Sequence, residues 1–348
     1  MSTTPARPAR LAALALVVPL LAGCGDDAGP DDPAPAGWPA TRVEVELRGL
    51  AWASSEGTIH LGDGSTLDAG EELRSFVLAR GGAYVVGAGD DTLRRVGPDG
   101  SDDLPARPDP QSLTVSPDGR YLALVDHTGR RDRFDTPLAE AVVVDLATGT
   151  EVLRSDAGMG DPGSDDLADL YEELEPAVVG VDERRAYVLT TADLRAVDLR
   201  TGSVDVLGDA GTILTDQPWY AGLHPELVPD SPDGAWAIRP RSGAAPTLVA
   251  DAGTVVTTRL SAADLGVDPL APGAGEISWT LDSWLDATTA VGTAVRTDPA
   301  GGAGEPVLIT CQVPSGACAA VPGTEDGALV PVGREGPGVL VPRPLEVP

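Results

Sequence analysis

The fold is decided by Ser-Pro-Asp-Gly-Arg-Tyr-Leu-Ala-Leu at residues 116–124, which returns in shortened form as Ser-Pro-Asp-Gly-Ala-Trp-Ala-Ile at residues 231–238. Asp-Gly is typical of a tight hairpin turn, because glycine readily adopts the positive φ that such a turn needs. The alternating apolar residues that follow predict a β-strand. Each copy is therefore a turn leading into a strand. Related turns occur near Gly57, Gly82, Glu183, Asp286 and Gly336.

A second motif alternates with the first along the chain. Val-Asp-Leu-Ala-Thr-Gly at residues 144–149 recurs as Val-Asp-Leu-Arg-Thr-Gly at residues 197–202, and Gly100, Gly253 and Gly316 occupy looser versions of it. We expect the first motif to join strands one and two of a repeat, and the second to join strands three and four. Seven turns of the first kind, at about 44 residues per repeat, predict a β-propeller of seven four-stranded blades, with six or eight as alternatives.

Short strands separated by Gly, Asp, Pro and Ser continue from residue 41 onward, which predicts one all-β domain over residues 41–348. A propeller loses its open sheet edges only when both ends of the chain contribute strands to one blade. We therefore expect Val43–Leu47 to pair with Ala328–Val332 and Gly338–Val341. Two β-sandwich domains are the main alternative, but they do not explain two alternating turn types.

These two motifs resemble the repeats of secreted WD40-like and TolB-type propellers, and the resemblance extends over most of the chain after residue 40. The Trp-Asp dipeptide of WD40 blades is missing. The resemblance implies a propeller whose loops serve as an interaction platform.

Residues 155–176 interrupt the strand pattern with eight acidic residues and no basic one. Ser164 can cap a helix there, and Pro176 can end it. The apolar face of that helix would consist of Leu167, Leu170, Tyr171 and Leu174. We expect this face to dock on the domain. The alternative is a lid that binds a partner near the central channel.

The first 23 residues have the layout of a secretory signal, with Arg7 and Arg10 before the apolar run Leu11–Leu21. The run is too short to cross a bilayer. Leu21-Ala22-Gly23-Cys24 resembles the bacterial lipobox, which implies cleavage before Cys24 and durable attachment through at least two acyl chains such as palmitate. Residues 24–40 are then the lipidated cysteine and a mobile tether, and the domain lies at the outer face of the cell membrane. An ordinary signal peptide with a chance cysteine is the alternative.

The charge and the cysteines narrow the classes of partner and chemistry. The net charge is −30, and it becomes −32 without residues 1–23, which repels nucleic acid. Cys311 and Cys318 lie on a strand-turn-strand segment of an exported chain, so we expect a disulfide between them. The sequence predicts no cofactor and no metal site.

No recognisable catalytic motif accompanies the three histidines, and the absence of lysine removes P-loop and Schiff-base chemistry. Candidate binding residues are Asp126 and His127 at a strand end, and Trp219 and Tyr220 in a long connection. The predicted function is that of a monomeric, non-catalytic binding or scaffolding propeller for an extracellular protein or cell-wall ligand. The alternative is a metal-dependent hydrolase or lactonase-like enzyme that uses channel carboxylates such as Asp126.

Overall fold

The computed structural model of the chain describes residues 37–47, 49–110, 112–212, 219, 230–239, 245–265, 277–296, 306–324 and 327–331. These residues belong to the larger of the two compact units of the chain, residues 36–348. Within them, the strands form six antiparallel sheets of three or four strands, with one α-helix and one short 3-10 helix (Ala262–Leu265). The expectation of an all-β fold with one short helical insertion is confirmed.

We number the sheets 1 to 6 in chain order. Sheet 1 contains β1 (Trp52–Ala53), β2 (Thr58–His60) and β3 (Thr66–Asp68), and sheet 2 contains β4 (Leu73–Ala79), β5 (Gly82–Gly87), β6 (Leu93–Gly97) and β7 (Gly100–Asp103). Sheet 3 contains β8 (Thr114–Val115), β9 (Tyr121–Asp126), β10 (Glu140–Asp145) and β11 (Thr150–Ser155). Sheet 4 contains β12 (Ala177–Val181), β13 (Arg185–Leu189), β14 (Asp193–Asp198) and β15 (Val204–Asp209). Sheet 5 contains β16 (Trp236–Arg239), β17 (Thr247–Ala250) and β18 (Val255–Thr257), and sheet 6 contains β19 (Ile277–Asp286), β20 (Thr289–Arg296), β21 (Val307–Gln312) and β22 (Cys318–Ala320).

The Ser-Pro-Asp-Gly turn has the same hydrogen bonds in both copies. The Ser116 hydroxyl donates to Asp118 (2.7 Å) and accepts from the backbone N–H of Tyr121 (2.8 Å). The Ser231 hydroxyl donates to Asp233 (2.6 Å) and accepts from the N–H of Trp236 (3.0 Å). The glycine of each copy has a φ near +70°, which explains why the motif requires that residue.

The turns alternate as predicted in sheets 2 to 6. The first motif and its relatives precede β5, β9, β13, β16 and β20, whereas the second motif and its relatives join the last two strands of each sheet. In the second motif the carboxylates of Asp145 and Asp198 accept backbone N–H bonds from the turn itself. Cys311 lies opposite Cys318 across β21 and β22, and the predicted disulfide joins them.

Sheet 1 departs from the predicted pattern. This departure explains why the turns in the sequence predicted seven blades. Gly57 lies between β1 and β2, and Leu329 forms an antiparallel bridge with Ala53 of β1 through two backbone hydrogen bonds of 2.8 and 2.9 Å. If the segment at Leu329 is counted as the first strand of sheet 1, β1 and β2 become the second and third strands. The turn at Gly57 joins these two and is therefore not a turn of the first kind. The described residues thus form six sheets, and the turn predicted near Gly336 lies outside them.

The two chain ends meet differently from the expected pairing. The segment Val43–Leu47 forms no strand, and its Val45 N–H donates to the Arg80 carbonyl (2.9 Å). Residues 37–47, which we call the strap, instead cross the turns of sheets 2 and 3. The C-terminal contribution comes from Leu329, within the predicted segment Ala328–Val332, and Gly338–Val341 lies outside the described residues.

Apolar clusters join neighbouring sheets in chain order. Separate clusters link sheets 1 and 2, sheets 2 and 3, sheets 3 and 4, and sheets 5 and 6. A further cluster combines Trp52 of sheet 1, Val291 and Leu308 of sheet 6, and Val330 beside the C-terminal bridge. The first and last sheets are therefore in contact, which agrees with a propeller-like arrangement.

The sheets have two distinct ends. The turns that precede second and fourth strands lie at the same end. In sheet 3 the Leu146 N–H bonds to the Arg120 carbonyl (2.9 Å), and between sheets 2 and 3 the Arg80 N–H bonds to the Gly119 carbonyl (3.1 Å). We call this end the turn face, and the strap crosses it. The opposite end, the loop face, carries the loops between second and third strands and the connections between sheets, and there the His127 N–H bonds to the Arg107 carbonyl (3.0 Å).

Candidate functional site

Asp126 ends β9 at the loop face, and its side chain is fully buried. One carboxylate oxygen accepts the backbone N–H groups of Arg107 (2.9 Å) and Thr128 (3.1 Å). The other accepts the Thr128 hydroxyl (2.6 Å) and the Arg154 guanidinium (2.8 Å). A buried carboxylate requires such donors, because its loss of hydration is otherwise very costly. Both oxygens thus bond inside the protein and stabilise the loop face.

Arg154 and His127 complete this network. The Arg154 guanidinium also bonds to Glu140 (2.6 Å) and Glu151 (2.9 Å), so one cation joins β10, β11 and the end of β9. His127 is half-buried, and this burial lowers the pKa of its imidazole, against the opposing influence of nearby carboxylates. The neutral imidazole is therefore favoured near pH 7. The structure places Asp126 and His127 together, but in a network of structural hydrogen bonds.

The loop between β9 and β10, residues 127–139, is held by a second buried carboxylate. Asp132 accepts backbone N–H groups from Phe134 (2.8 Å), Thr136 (2.9 Å) and Leu167 (2.9 Å). Burial opposes ionisation of Asp132, but these three bonds outweigh it and lower the pKa of its carboxyl. Asp132 therefore connects this loop, which we call the Phe134 loop, to the acidic insertion.

The acidic insertion docks on the domain, as its apolar residues predicted. Its helix, α1 (Leu167–Glu173), buries Leu167 completely, and Leu170 and Tyr171 pack against the cluster between sheets 3 and 4. The Tyr171 hydroxyl donates to the Met159 carbonyl (2.8 Å) and accepts the Ala139 N–H (3.0 Å). The bond to Ala139 attaches the helix to the Phe134 loop, and the bond to Met159 joins the helix to the start of the insertion.

The cap of this helix differs from the one expected. Asp166, rather than Ser164, is the N-cap, and its side chain accepts the N–H of Asp169 (3.4 Å). Ser164 lies two residues earlier, where its hydroxyl contacts Asp161 and Asp165. Both residue types make good caps. The burial of Leu167 selects the position, because the helix must begin where that side chain reaches the core.

An aromatic and a basic side chain project from the tip of the Phe134 loop. The Phe134 residue is 56% exposed, and the Arg133 guanidinium lies over its ring at 4.5 Å from the centroid. In the described part of the chain, Arg133 makes no ion pair within 4.0 Å. Sequence reasoning missed this pair, although Phe134 is one of two phenylalanines and lies in the polar run Arg-Arg-Asp-Arg-Phe-Asp. A phenylalanine among charged residues is the feature of the sequence that could have indicated an exposed binding residue.

Of the two aromatic residues predicted to bind a partner from the long connection, the structure describes Trp219. Trp219 is partly buried and stacks on Tyr187 of sheet 4, with ring centroids 4.0 Å apart and planes 12° from parallel. Tyr220 lies outside the described residues. Trp236, Trp279 and Trp284 pack in the cluster between sheets 5 and 6, as expected for aromatic residues that fill gaps between blades.

Some predictions concern features that the described residues do not contain. Cys24 and the rest of residues 1–36 lie outside the described part. Within that part, no three His, Cys, Asp or Glu side chains are grouped as ligands for a metal ion. Nor does any helix there have the length and apolar composition that a membrane span requires.

The sequence matches no protein-family model and no curated protein. Among solved structures, the chain is similar to TolB from Acinetobacter baumannii, at 12% identity and a TM-score of 0.33 over 80% of this chain and 64% of that one. It is also similar to a Mycobacterium tuberculosis puromycin-hydrolyzing peptidase, at 16% identity and a TM-score of 0.32 over 81% of this chain and 44% of that one. A third similar structure is the β-propeller domain of Myceliophteria thermophila Cps50 (Swd1), at 10% identity and a TM-score of 0.22 over 80% of this chain and 98% of that one. This chain spans less than two thirds of the first two. TM-scores this low establish no common fold, so the architecture rests on the strand order and packing described above.

Proposed function

We propose that this protein is a lipid-anchored β-propeller at the outer face of the cell membrane, which acts as a monomer and binds an extracellular protein through the Phe134 loop without catalysing a reaction. The observation that carries the proposal is the exposed Phe134 and Arg133 pair on a loop that buried carboxylates hold in one conformation.

The ring that we propose has six blades, with Leu329 as the inner strand of the first. Support comes from the bridge between Ala53 and Leu329 and from the cluster that joins sheets 1 and 6. The longest undescribed stretch between described sheets is residues 213–229 around Trp219, which is shorter than a four-stranded repeat of about 40 residues. A seventh blade therefore does not fit between sheets 4 and 5.

The anchor that we propose is the acylated Cys24, twelve residues before Ala36. The chain can span at most ~40 Å between these two residues, because an extended residue covers about 3.5 Å. The strap crosses the turn face, where Val45 bonds to Arg80. The tether therefore keeps the folded domain within reach of the membrane surface that holds the acyl chains.

The Phe134 loop suits a protein partner for two reasons. Its aromatic ring is presented by a loop that Asp132 pins at three backbone N–H groups, so little conformational freedom would be lost on binding. Aromatic and arginine side chains also carry a large share of binding free energy in protein interfaces. Arg133 favours a partner segment that places a carboxylate next to an apolar side chain.

Site-specific photo-cross-linking on intact cells tests this surface. A photoreactive phenylalanine analogue at position 134 should give one discrete adduct, whereas the same group at Val255 should not. Val255 is a matched control, because it is 61% exposed but lies on the outer strand of sheet 5. Arg133→Glu should abolish the adduct and Arg200→Glu should leave it. Equal adducts at both positions, or an adduct that survives Arg133→Glu, would refute the proposed surface.

The anchor has its own test. We expect Cys24→Ser to release the protein into the medium or to leave an unprocessed precursor, because the acylated side chain is lost. Cys311→Ser, which removes only the disulfide, should leave the protein at the membrane. Membrane retention and normal processing of the Cys24→Ser protein would contradict the lipid anchor.

The metal-dependent hydrolase alternative receives no support from a specific observation. It would require carboxylates such as Asp126 to face a channel, whereas both oxygens of Asp126 are buried and bonded to Arg107, Thr128 and Arg154. Stoichiometric metal in the purified protein, together with a melting temperature that falls on chelation, would favour the alternative.

A further inference from the structure

The turn face contains a cavity that neither the fold nor the proposed partner surface uses. The strap forms its outer wall, held by hydrogen bonds from the Thr41 N–H to the Leu146 carbonyl (2.8 Å) and from the Val45 N–H to the Arg80 carbonyl (2.9 Å). Trp38 packs against the cluster between sheets 2 and 3 and fixes the start of the strap. The strap thus covers the groove between two sheets at the end of the domain opposite the Phe134 loop.

The cavity has a volume of about 300 Å³, near the lower limit for small-molecule sites. Its apolar lining comes from Leu146 and Ala147, and its charged lining is Arg42, Arg80, Arg120 and Glu44. Three arginines line one small cavity in a chain with 54 acidic and 24 basic residues. In a chain with more than twice as many acidic as basic residues, three arginines and one glutamate around a single cavity are not expected by chance.

The arginines retain N–H groups that can bind a ligand. Arg120 uses Nε and Nη2 to bond the two oxygens of Asp145, at 3.2 and 2.6 Å. Arg80 donates through Nε to the Asp118 carbonyl (2.7 Å), but its Nη atoms lie 3.6 and 3.7 Å from Asp118 and Glu44, beyond hydrogen-bond distance. Both side chains are 43% exposed. Their remaining donors can therefore reach a molecule in the cavity.

Thr41 belongs to the cavity lining on the strap, but its hydroxyl does not face the cavity. The hydroxyl oxygen is buried next to Gly81, so a molecule in the cavity cannot reach it. The guanidinium groups are therefore the donors that a ligand with oxygen atoms would engage.

From this arrangement we infer that the cavity binds a phosphate group. A tetrahedral anion offers several strong acceptors, and arginine forks match that geometry. The group can come from inorganic phosphate or from a phospholipid headgroup, since the turn face lies beside the strap that leads to Cys24. The first source is independent of the proposed anchor, and only the second rests on it.

Binding of inorganic phosphate to the full chain carrying Cys24→Ser tests the site. We expect phosphate, but not chloride at equal ionic strength, to raise the melting temperature and to give saturable heat in titration calorimetry. Arg42→Gln should weaken phosphate binding about tenfold, because one charge-assisted bond is lost. Arg42 makes no ion pair within the described part of the chain, so its replacement leaves the fold intact.

The matched control is Arg200→Gln, in the equivalent turn motif of sheet 4 but outside the cavity, which should bind phosphate like the parent. Vesicles containing phosphatidylglycerol separate the two sources. Binding to them that free phosphate displaces and that Arg42→Gln weakens identifies a headgroup site, whereas phosphate binding without vesicle binding identifies a soluble ligand. No phosphate-specific response, or an equal response in Arg42→Gln and the parent, would overturn the inference. The Phe134 adduct described above is unaffected by either result.

Discussion

Sheet 3 carries an aspartate–arginine pair at each of its ends, and the two pairs are built differently. At the turn face, Asp145 bonds to Arg120 and to the N–H of Ala147 in its own turn. At the loop face, Asp126 is completely buried and bonds to groups 19 and 28 positions away, on Arg107 and Arg154. Both pairs join distant segments, since Arg120 lies 25 positions from Asp145, and both carboxylates also bond within their own turns. They differ in burial: the arginine at the turn face is 43% exposed and the one at the loop face 31%, and the loop-face carboxylate also holds the connection from sheet 2 through Arg107.

Among the substitutions that compare the two ends of sheet 3, Asp126→Ala is expected to have the largest effect on stability. It should lower the free energy of unfolding by about 4 kcal/mol, because Arg154 and two backbone N–H groups lose a buried partner. Urea denaturation monitored by tryptophan fluorescence measures this loss. Asp145→Ala is the control at the turn face and should cost clearly less, since Arg120 is 43% exposed and can be hydrated. Equal losses would remove the distinction between the two ends.

The next largest effect on stability is expected where helix α1 docks at the loop face. Leu167→Ala should cost about 3 kcal/mol, because a fully buried leucine leaves a cavity between sheets 3 and 4. Glu172→Ala, on an exposed position of the same helix, should change the free energy of unfolding by less than about 0.5 kcal/mol. Hydrogen exchange of the Phe134 loop should also accelerate in Leu167→Ala alone. An unchanged exchange rate would show that the helix does not support that loop.

The turn-face pair predicts a smaller, pH-dependent effect. The hydrogen bonds from Arg120 lower the pKa of the Asp145 carboxyl in the folded protein. Because the folded pKa lies below the unfolded value of about 3.9, the stabilisation is complete above that pH and is lost as the pH falls through the folded pKa. Asp145→Asn should therefore cost about 1.5 kcal/mol at pH 7 and progressively less below pH 4. A cost that does not change with pH would contradict the ionic contribution.

The smallest effect on stability is expected at the proposed binding surface. Phe134→Ala should change the melting temperature by less than about 2 °C, because the residue is 56% exposed and belongs to no buried apolar cluster of the described residues. The same substitution should remove partner binding. A large loss of stability would assign Phe134 to the packing of the loop face.

The candidate surface was only partly predictable. Asp126 and His127 were identified from their place at the end of a strand, but the sequence did not reveal that Arg107 and Arg154 bond to the carboxylate of Asp126. Trp219 was expected to be a binding residue because it lies in a long connection, whereas its stacking on Tyr187 depends on how that connection returns to sheet 4. Phe134 was missed because exposure depends on where the rest of its loop is anchored.

The sequence by itself determined the features that depend on neighbouring residues. The positive φ of Gly119 and Gly234, the alternating strands and the disulfide between Cys311 and Cys318 all arise within short segments, where sterics and hydrogen bonding act directly. The tertiary structure decided the features that join distant segments: the bridge between Ala53 and Leu329, the path of the strap and the choice of Asp166 as helix cap. Each of these follows from burial of an apolar side chain or a charge against a surface that exists only after the sheets have packed.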